Sequence, residues 1–480
     1  MNRKALSLLT ASGAALLLAA CAVGPKAPDA VIPVQGQGAF IGSQSASVST
    51  EAARDDWWRL YDDPTLDGLI RQAFAENNQL EAAFANLRAV RASLSEARVG
   101  RFPTTTTSAQ VQRSRASAAT VVGLPDGQKA PEIDTYDAGL SASYEVDLFG
   151  RVESTVRAAR ADARAAEAAL ASVQVTVAAE TARAYADTCS ANAQIAVAER
   201  TLELQRNTGS LTQTLLDSGA GTGLDVARAR AAVAQTAATL PTLRAARAEA
   251  LFRLATLTGR TPAEVDQAAA ACVRPPQLNQ AIPVGDGAAL LARRPDVRQA
   301  EANLAAAAAR VNVATANLFP RVSLGGSFGS TALESDGLGD SQNYRFSFGP
   351  LISWSFPNVF AARAQIKAAD ARSDAALATF DQTVLTALQE TETALSNYAN
   401  ELDRRAALTE ARDQAARAAA LSQQRFNAGA DNFLTVLDAQ RTQAAADAAL
   451  AQSDALVTTY QIALFKALAG GWDQAPDPEA

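Results

Sequence analysis

The sequence predicts a mostly α-helical chain that carries a transmembrane β-barrel portion and is built as two structural repeats. Three observations predict this fold class. Two Ala-rich helical stretches, residues 151–207 and 361–427, are longer than an ordinary globular core uses. Segments of alternating apolar and polar residues interrupt the helical pattern. The same motifs then return in the second half of the chain.

The long helices rest on composition. Ala is the commonest residue, aromatics are 6% and charged residues 19%, with both signs mixed, a balance that suits long, closely packed helices. At the helical rise each stretch spans roughly 85 to 100 Å. Each reaches a Gly-containing turn and returns through a second helix, at 224–258 and at 433–469, as an αα-hairpin does.

The strands rest on period. Between Gly139 and Phe149, Leu140, Ala142, Tyr144, Val146 and Leu148 alternate with Ser141, Ser143, Glu145 and Asp147. Residues 320–331 and 344–356 alternate in the same way, and 104–116 is assigned as a strand mainly by its position. One face carries Tyr144, Tyr344, Trp354 and Phe356 among aliphatics, as a lipid-facing surface does. The other carries Ser, Gly, Glu145, Asp147 and Arg345, as a water-lined surface does. Four strands of this length can cross a bilayer but cannot close a barrel, so the chain must oligomerise. Composition alone leaves open a soluble sandwich with one wet face.

The duplication shows in short motifs. Phe102-Pro103 recurs as Phe319-Pro320, and Gly219-Ala220 with Leu224 and Val226 recurs at identical spacing as Gly429-Ala430 with Leu434 and Val436. A first repeat therefore spans 56–259, beginning with a helix from Pro64 that stops before Phe102. A second spans 284–470. An irregular segment, 260–283, joins them, and a tail, 471–480, follows.

Other totals exclude functions. The net charge is −7 without a long basic run, which argues against nucleic acid. Histidine is absent, which removes the commonest general base and the commonest metal ligand. Neither a cofactor, a metal nor an enzymatic activity is expected. Gly325-Gly326-Ser327-Phe328-Gly329 matches a nucleophile-elbow pattern but lies inside an alternating strand in a chain without His, so it reads as barrel strand.

The first 20 residues read as a targeting signal, with basic Arg3 and Lys4, an apolar stretch from Ala5 to Leu18, and small residues before Cys21. This resembles a bacterial lipoprotein signal in which Cys21 is lipidated, and Ala22 in place of Asp fits an outer-membrane destination. Residues 21–55, interrupted by Pro25, Pro28 and Pro33, read as an extended arm. After Cys21 no stretch approaches the length of a transmembrane helix.

Several motifs in order resemble the TolC-like outer membrane efflux protein family, in its NodT-type lipoprotein branch. They are Cys21-Ala22-Val23-Gly24-Pro25, Asp56-Trp57-Trp58 through Asp63-Pro64 to Leu80, Glu145-Val146-Asp147-Leu148-Phe149-Gly150-Arg151, Arg293-Arg294-Pro295-Asp296-Val297, and Val436-Leu437-Asp438-Ala439-Gln440-Arg441. The resemblance covers essentially the whole mature chain. It implies a homotrimer with one twelve-stranded barrel, a helical coiled-coil tunnel through the periplasm, and docking of a periplasmic adaptor and an inner-membrane pump of the resistance-nodulation-division type. The implied function is an outer-membrane exit duct for drugs or other small toxic solutes. A duct for protein secretion or metal-ion export, or a lipid-anchored adaptor or structural coiled coil, are the alternatives.

Candidate residues follow. Asp438 and Arg441, with Asp225 and Arg228 in the other repeat, are gate candidates at the tip, where three-fold symmetry gathers three copies of each. Phe426 stands where relatives often carry Tyr. Gly219 and Gly429 are candidates for facing the adaptor, although a turn needs Gly for backbone reasons whatever it touches. Cys189 and Cys272 would both reach an oxidising compartment, and either a disulfide or two buried thiols is open.

Overall fold

The computed structural model describes residues 24–26, 28–278, 280–354 and 359–470. Cys21, the signal, Phe356 and the tail therefore lie outside the described residues. Sixteen elements are labelled here in chain order: β1 (Val48–Ser49), α1 (Pro64–Glu76), α2 (Asn78–Val99), β2 (Thr104–Arg115), β3 (Glu132–Val146), α3 (Arg151–Asp217), α4 (Gly223–Ala237), α5 (Thr239–Leu257), α6 (Gln267–Ala270), β4 (Ile282–Pro283), α7 (Gly287–Arg293), α8 (Pro295–Ala316), β5 (Arg321–Ala332), β6 (Tyr344–Ser353), α9 (Val359–Asn427) and α10 (Phe433–Ala467). The chain is mostly helical, and the long helices α3 and α9 have 67 and 69 residues.

The chain divides into two compact units. One comprises Arg88–Ala165 and Ala300–Phe380 with the described residues up to Ala30; the other comprises Val31–Leu87, Ala166–Gln299 and Asp381 onward.

In the first unit, β2, β3, β5 and β6 form one antiparallel sheet in that order. Asp147, read above as a strand residue, instead accepts the N–H groups of Val152 (3.0 Å) and Glu153 (2.8 Å), which the first turn of α3 leaves without intrahelical partners. Phe149 has likewise left the strand and stacks on Phe319, ring centres 4.5 Å apart. The strand 139–149 therefore ends at Val146, and it starts earlier, at Glu132. Leu94, Val156 and Ala163 pack where α2 meets α3.

The second unit holds the main core. Trp57 and Trp58 are almost fully buried, Trp57 stacks on Phe465 at 4.8 Å, and the Trp58 indole N–H donates to Asp67 at 2.9 Å. Asp63 opens α1 by accepting from the N–H groups of Thr65 and Leu66, and its other oxygen takes the Tyr185 hydroxyl at 2.9 Å. The sequence suggests one helix from Pro64 towards Phe102, and two are present. Asn77 separates them: its side-chain oxygen accepts from Gln79 and Leu80, and its amide donates to Leu257 O at 2.9 Å. The helix expected over 224–258 is likewise two, broken at Ala238 ahead of Pro241, which has no N–H to continue the ladder.

The arm is less featureless than its prolines suggest. It makes short 3-10 turns at Val34–Gly36 and Ile41–Gln44, and Glu392 accepts the N–H groups of Ile41 (2.7 Å) and Gly42 (3.1 Å). β1 then pairs in parallel with β4 of the inter-repeat segment.

Arg294 is buried at the α7–α8 junction. It donates to Asp296, to Glu390 at 2.6 Å and to Ala467 O at 2.9 Å. Burial works against its charge, and the two carboxylates outweigh burial, holding its pKa above the usual guanidinium value.

Candidate channel-forming elements

The sheet has two chemically distinct faces, and the register assigns each residue to one. Opposite one another lie Thr107, Leu140, Phe328 and Phe346, then Thr105, Ala142, Gly326 and Phe348, with Tyr144 beside Leu324 and Val146 beside Val322 and Ile352. This face is apolar and bare: Phe346 and Phe348 are 84% and 83% exposed. A patch of this kind on a single chain marks a surface that meets lipid or protein. The opposite face carries Ser141, Ser143, Glu145, Ser323, Ser327, Arg345 and Ser347, with Leu351 as an apolar exception. Glu145 is paired there with Arg151 at 2.8 Å. Trp354 lies past the end of β6 and donates to Leu318 O at 3.1 Å.

Among the described residues, β2 pairs only with β3 and β6 only with β5, so each outer strand keeps one free row of N–H and C=O groups. No described helix is long and apolar enough to cross a membrane.

The two helical turns repeat one geometry. Gly219 (φ 77°) and Gly429 (φ 74°) end α3 and α9 in the left-handed region, where a side chain is disfavoured. The following N–H reaches back five residues, Ala220 to Leu215 O and Ala430 to Arg425 O, both at 2.8 Å. A Cβ at either glycine would meet nothing within 4 Å, so backbone angle and not crowding explains the residue.

Around these turns the candidate residues separate. Asp225 is engaged locally: the Thr222 hydroxyl donates to it at 2.6 Å while its own N–H donates back to Thr222 at 3.2 Å, capping α4. Asp438, Arg441 and Arg228 are exposed, and among the described residues no intrachain ion pair joins Asp438 to Arg441 or Asp225 to Arg228. Arg441 borders a groove of about 640 Å³ among α3, α4, α5 and α10. Phe426 packs edge-on to Phe433 in a small cluster with Ala229, Ala232 and Leu437.

Two features escaped sequence reasoning. Arg425 clamps Asp431 across the second turn through two bonds, 2.7 and 3.0 Å, which holds the carboxyl below the usual aspartate range. Arg-x5-Asp spanning a Gly-Ala turn was the available signal. Thr208 and Gln440 are hydrogen-bonded between α3 and α10, and nothing in either helical pattern marks them.

Cys189 and Cys272 are joined by a disulfide, Cα atoms 5.0 Å apart. Beside it, the Asn192 amide donates to Ala270 O and Cys272 O, so the inter-repeat segment is tied to α3 both covalently and by hydrogen bonds.

Paired helical hairpins attached to a four-stranded antiparallel sheet are the build of TolC-like outer-membrane channels. A solved structure of the outer-membrane channel OprN superposes with a TM-score of 0.87 at 37% identity, covering 94% of this chain and 100% of that one. VceC from Vibrio cholerae gives 0.80 at 26% identity, covering 88% and 100%. The family model for outer membrane efflux proteins matches residues 69–260 and 288–470, and the chain belongs to that family. The pyoverdine export outer membrane protein OpmQ of Pseudomonas aeruginosa is 32% identical over 477 residues, 98% of either chain. The toluene efflux pump outer membrane protein TtgI of Pseudomonas putida is 31% identical over 467 residues, 96% of this chain and 97% of its own.

Proposed function

We propose that three copies of this chain join their open sheet edges into one twelve-stranded barrel and form the outer-membrane exit duct of a tripartite efflux system. The supporting observation is the sheet itself: two free edges and a bare aromatic face are a combination that hydrocarbon tolerates only in a closed barrel. On this reading the apolar face meets lipid, the serine- and glycine-rich face lines water, and Cys21 carries an acyl anchor. The chain catalyses nothing; it passes small organic solutes supplied by an inner-membrane pump through a periplasmic adaptor. Relatives named for pyoverdine and toluene favour that cargo class over proteins or metal ions.

The helical turns form the gate. Among the described residues neither Asp438 with Arg441 nor Asp225 with Arg228 forms an ion pair, which leaves these groups for neighbours around a three-fold axis, where several weak exposed pairs act together. Gly219 and Gly429 then face the adaptor. Accumulation of a hydrophobic dye in cells lacking this chain tests the function: accumulation rises and falls again on re-expression, and no change with the partner pump intact contradicts the proposal.

A further inference from the structure

We infer that Arg345 and Asp137 form a charge-cancelling clamp on the water-lined face at the exit mouth, and that this clamp sets the ion preference there; the inference rests on the barrel reading above. Arg345 is the second residue of β6 and Asp137 lies on β3, with β5 between them. The register explains how they meet. Arg345 is opposite Gly329, Gly329 is opposite Gly139, and Asp137 is opposite Thr331, so the Arg345 side chain crosses β5 over glycine. A Cβ on Gly329 would stand 2.6 Å from Ala138 O and 3.4 Å from Cζ of Arg345. The backbone of β3 therefore excludes a side chain at position 329, and Arg345 passes over the space this leaves.

Two of the three guanidinium nitrogens are engaged at this one site. Nη2 donates to both Asp137 oxygens, at 2.8 and 2.6 Å, and Nε donates to Thr331 Oγ1 at 2.9 Å. The Thr331 hydroxyl in turn donates to Asp137 at 2.7 Å, which closes the ring. Yet both side chains reach solvent, 46% and 27% exposed, and an ion pair in that setting adds little stability. What it does achieve is charge balance.

Position gives that balance a role. Thr331 and Arg345 lie at the hairpin end of β5 and β6, and β3 enters the sheet from the same end. The helices attach at the opposite end, where Phe149 and Phe319 stack. A duct whose helices lie in the periplasm thus has its clamp at the outward mouth. Three copies bring three cationic and three anionic groups to one level, with no net charge offered to a passing solute.

The test is the reversal potential of the reconstituted channel under a potassium chloride gradient. Asp137→Asn, which strands three guanidiniums, lowers the cation-to-anion permeability ratio by about twofold or more at low salt. Arg345→Gln raises it by a similar factor, and the double variant returns to the parent ratio. Arg345→Lys keeps the charge while losing the bridging geometry and stays near the parent, which separates charge from barrel distortion. Single variants that conduct like the parent with an unmoved ratio, or that shift it in the same direction, overturn the clamp and leave the duct standing. Absence of any channel from the parent chain overturns both.

Discussion

Thr208 and Gln440 meet side chain to side chain between α3 and α10, with Gln440 Nε2 3.1 Å from Thr208 Oγ1. Both residues are buried, and the Thr208 hydroxyl also donates to Leu204 O at 3.0 Å. The first repeat's long helix is therefore joined to the second repeat's return helix by a buried polar contact, which adds to the exposed Lys466–Glu180 pair at 3.3 Å between the same two helices. Thr208→Val keeps the shape and strands the Gln440 amide, lowering stability by about 1 to 3 kcal/mol. Adding Gln440→Leu removes the stranded group, so the double variant unfolds at higher denaturant concentration than the single one.

Both turns carry a side-chain cap, Thr222 in the first and Asn432 in the second, but only the second adds the Arg425–Asp431 clamp, since Leu215 and Gly221 stand at the matching positions of the first. Arg425→Gln accelerates limited proteolysis at residues 428–432 and leaves 218–222 unchanged. The pH sense follows from the lowered Asp431 pKa. The clamp's contribution is complete above the ordinary aspartate value and is lost as pH falls through the folded-state value, so acid abolishes the difference between parent and variant.

Arg294 holds two carboxylates and a helix-end carbonyl together. Replacing it with Ala destabilises by about 2 to 3 kcal/mol, less than a fully buried pair would lose because Asp296 and Glu390 reach solvent. Lys does not restore the loss, since one ammonium cannot serve three acceptors in the fork geometry. Thermal unfolding of the three proteins checks the order.

The disulfide closes a separation of 83 residues. Thiol titration of the denatured, unreduced mature chain finds neither Cys189 nor Cys272 free. Cys272→Ala lowers stability by about 2 to 5 kcal/mol.

For the gate, Asp438→Ala and Arg441→Ala each raise single-channel conductance in planar bilayers. Conductance unchanged in both and in the double variant contradicts a gating role.

Much of this architecture was legible because its two periods differ. Alanine-rich helical spacing located the long helices, and strict alternation located β5 and most of β3. The early start of β3 was hidden because Glu132 and Asp134, which share the face of Tyr136 and Leu140, pair with Arg113 and so carry charge where the alternation calls for apolar residues. Asn77 was hidden because a cap inside a continuous apolar spacing looks like one more polar helix residue. Of the candidate site, the glycine turns were readable from backbone chemistry. The Arg345–Asp137 clamp was not, since 208 residues separate the partners and only the strand register brings them together.

Beneath these details lies one requirement, that the free rows of β2 and β6 find partners on other copies of the chain. Native mass spectrometry of the detergent-extracted protein tests it most directly. A complex of three chains whose mass persists on dilution is the expected result; a stable single chain, or a species that stays in solution without detergent, would contradict it.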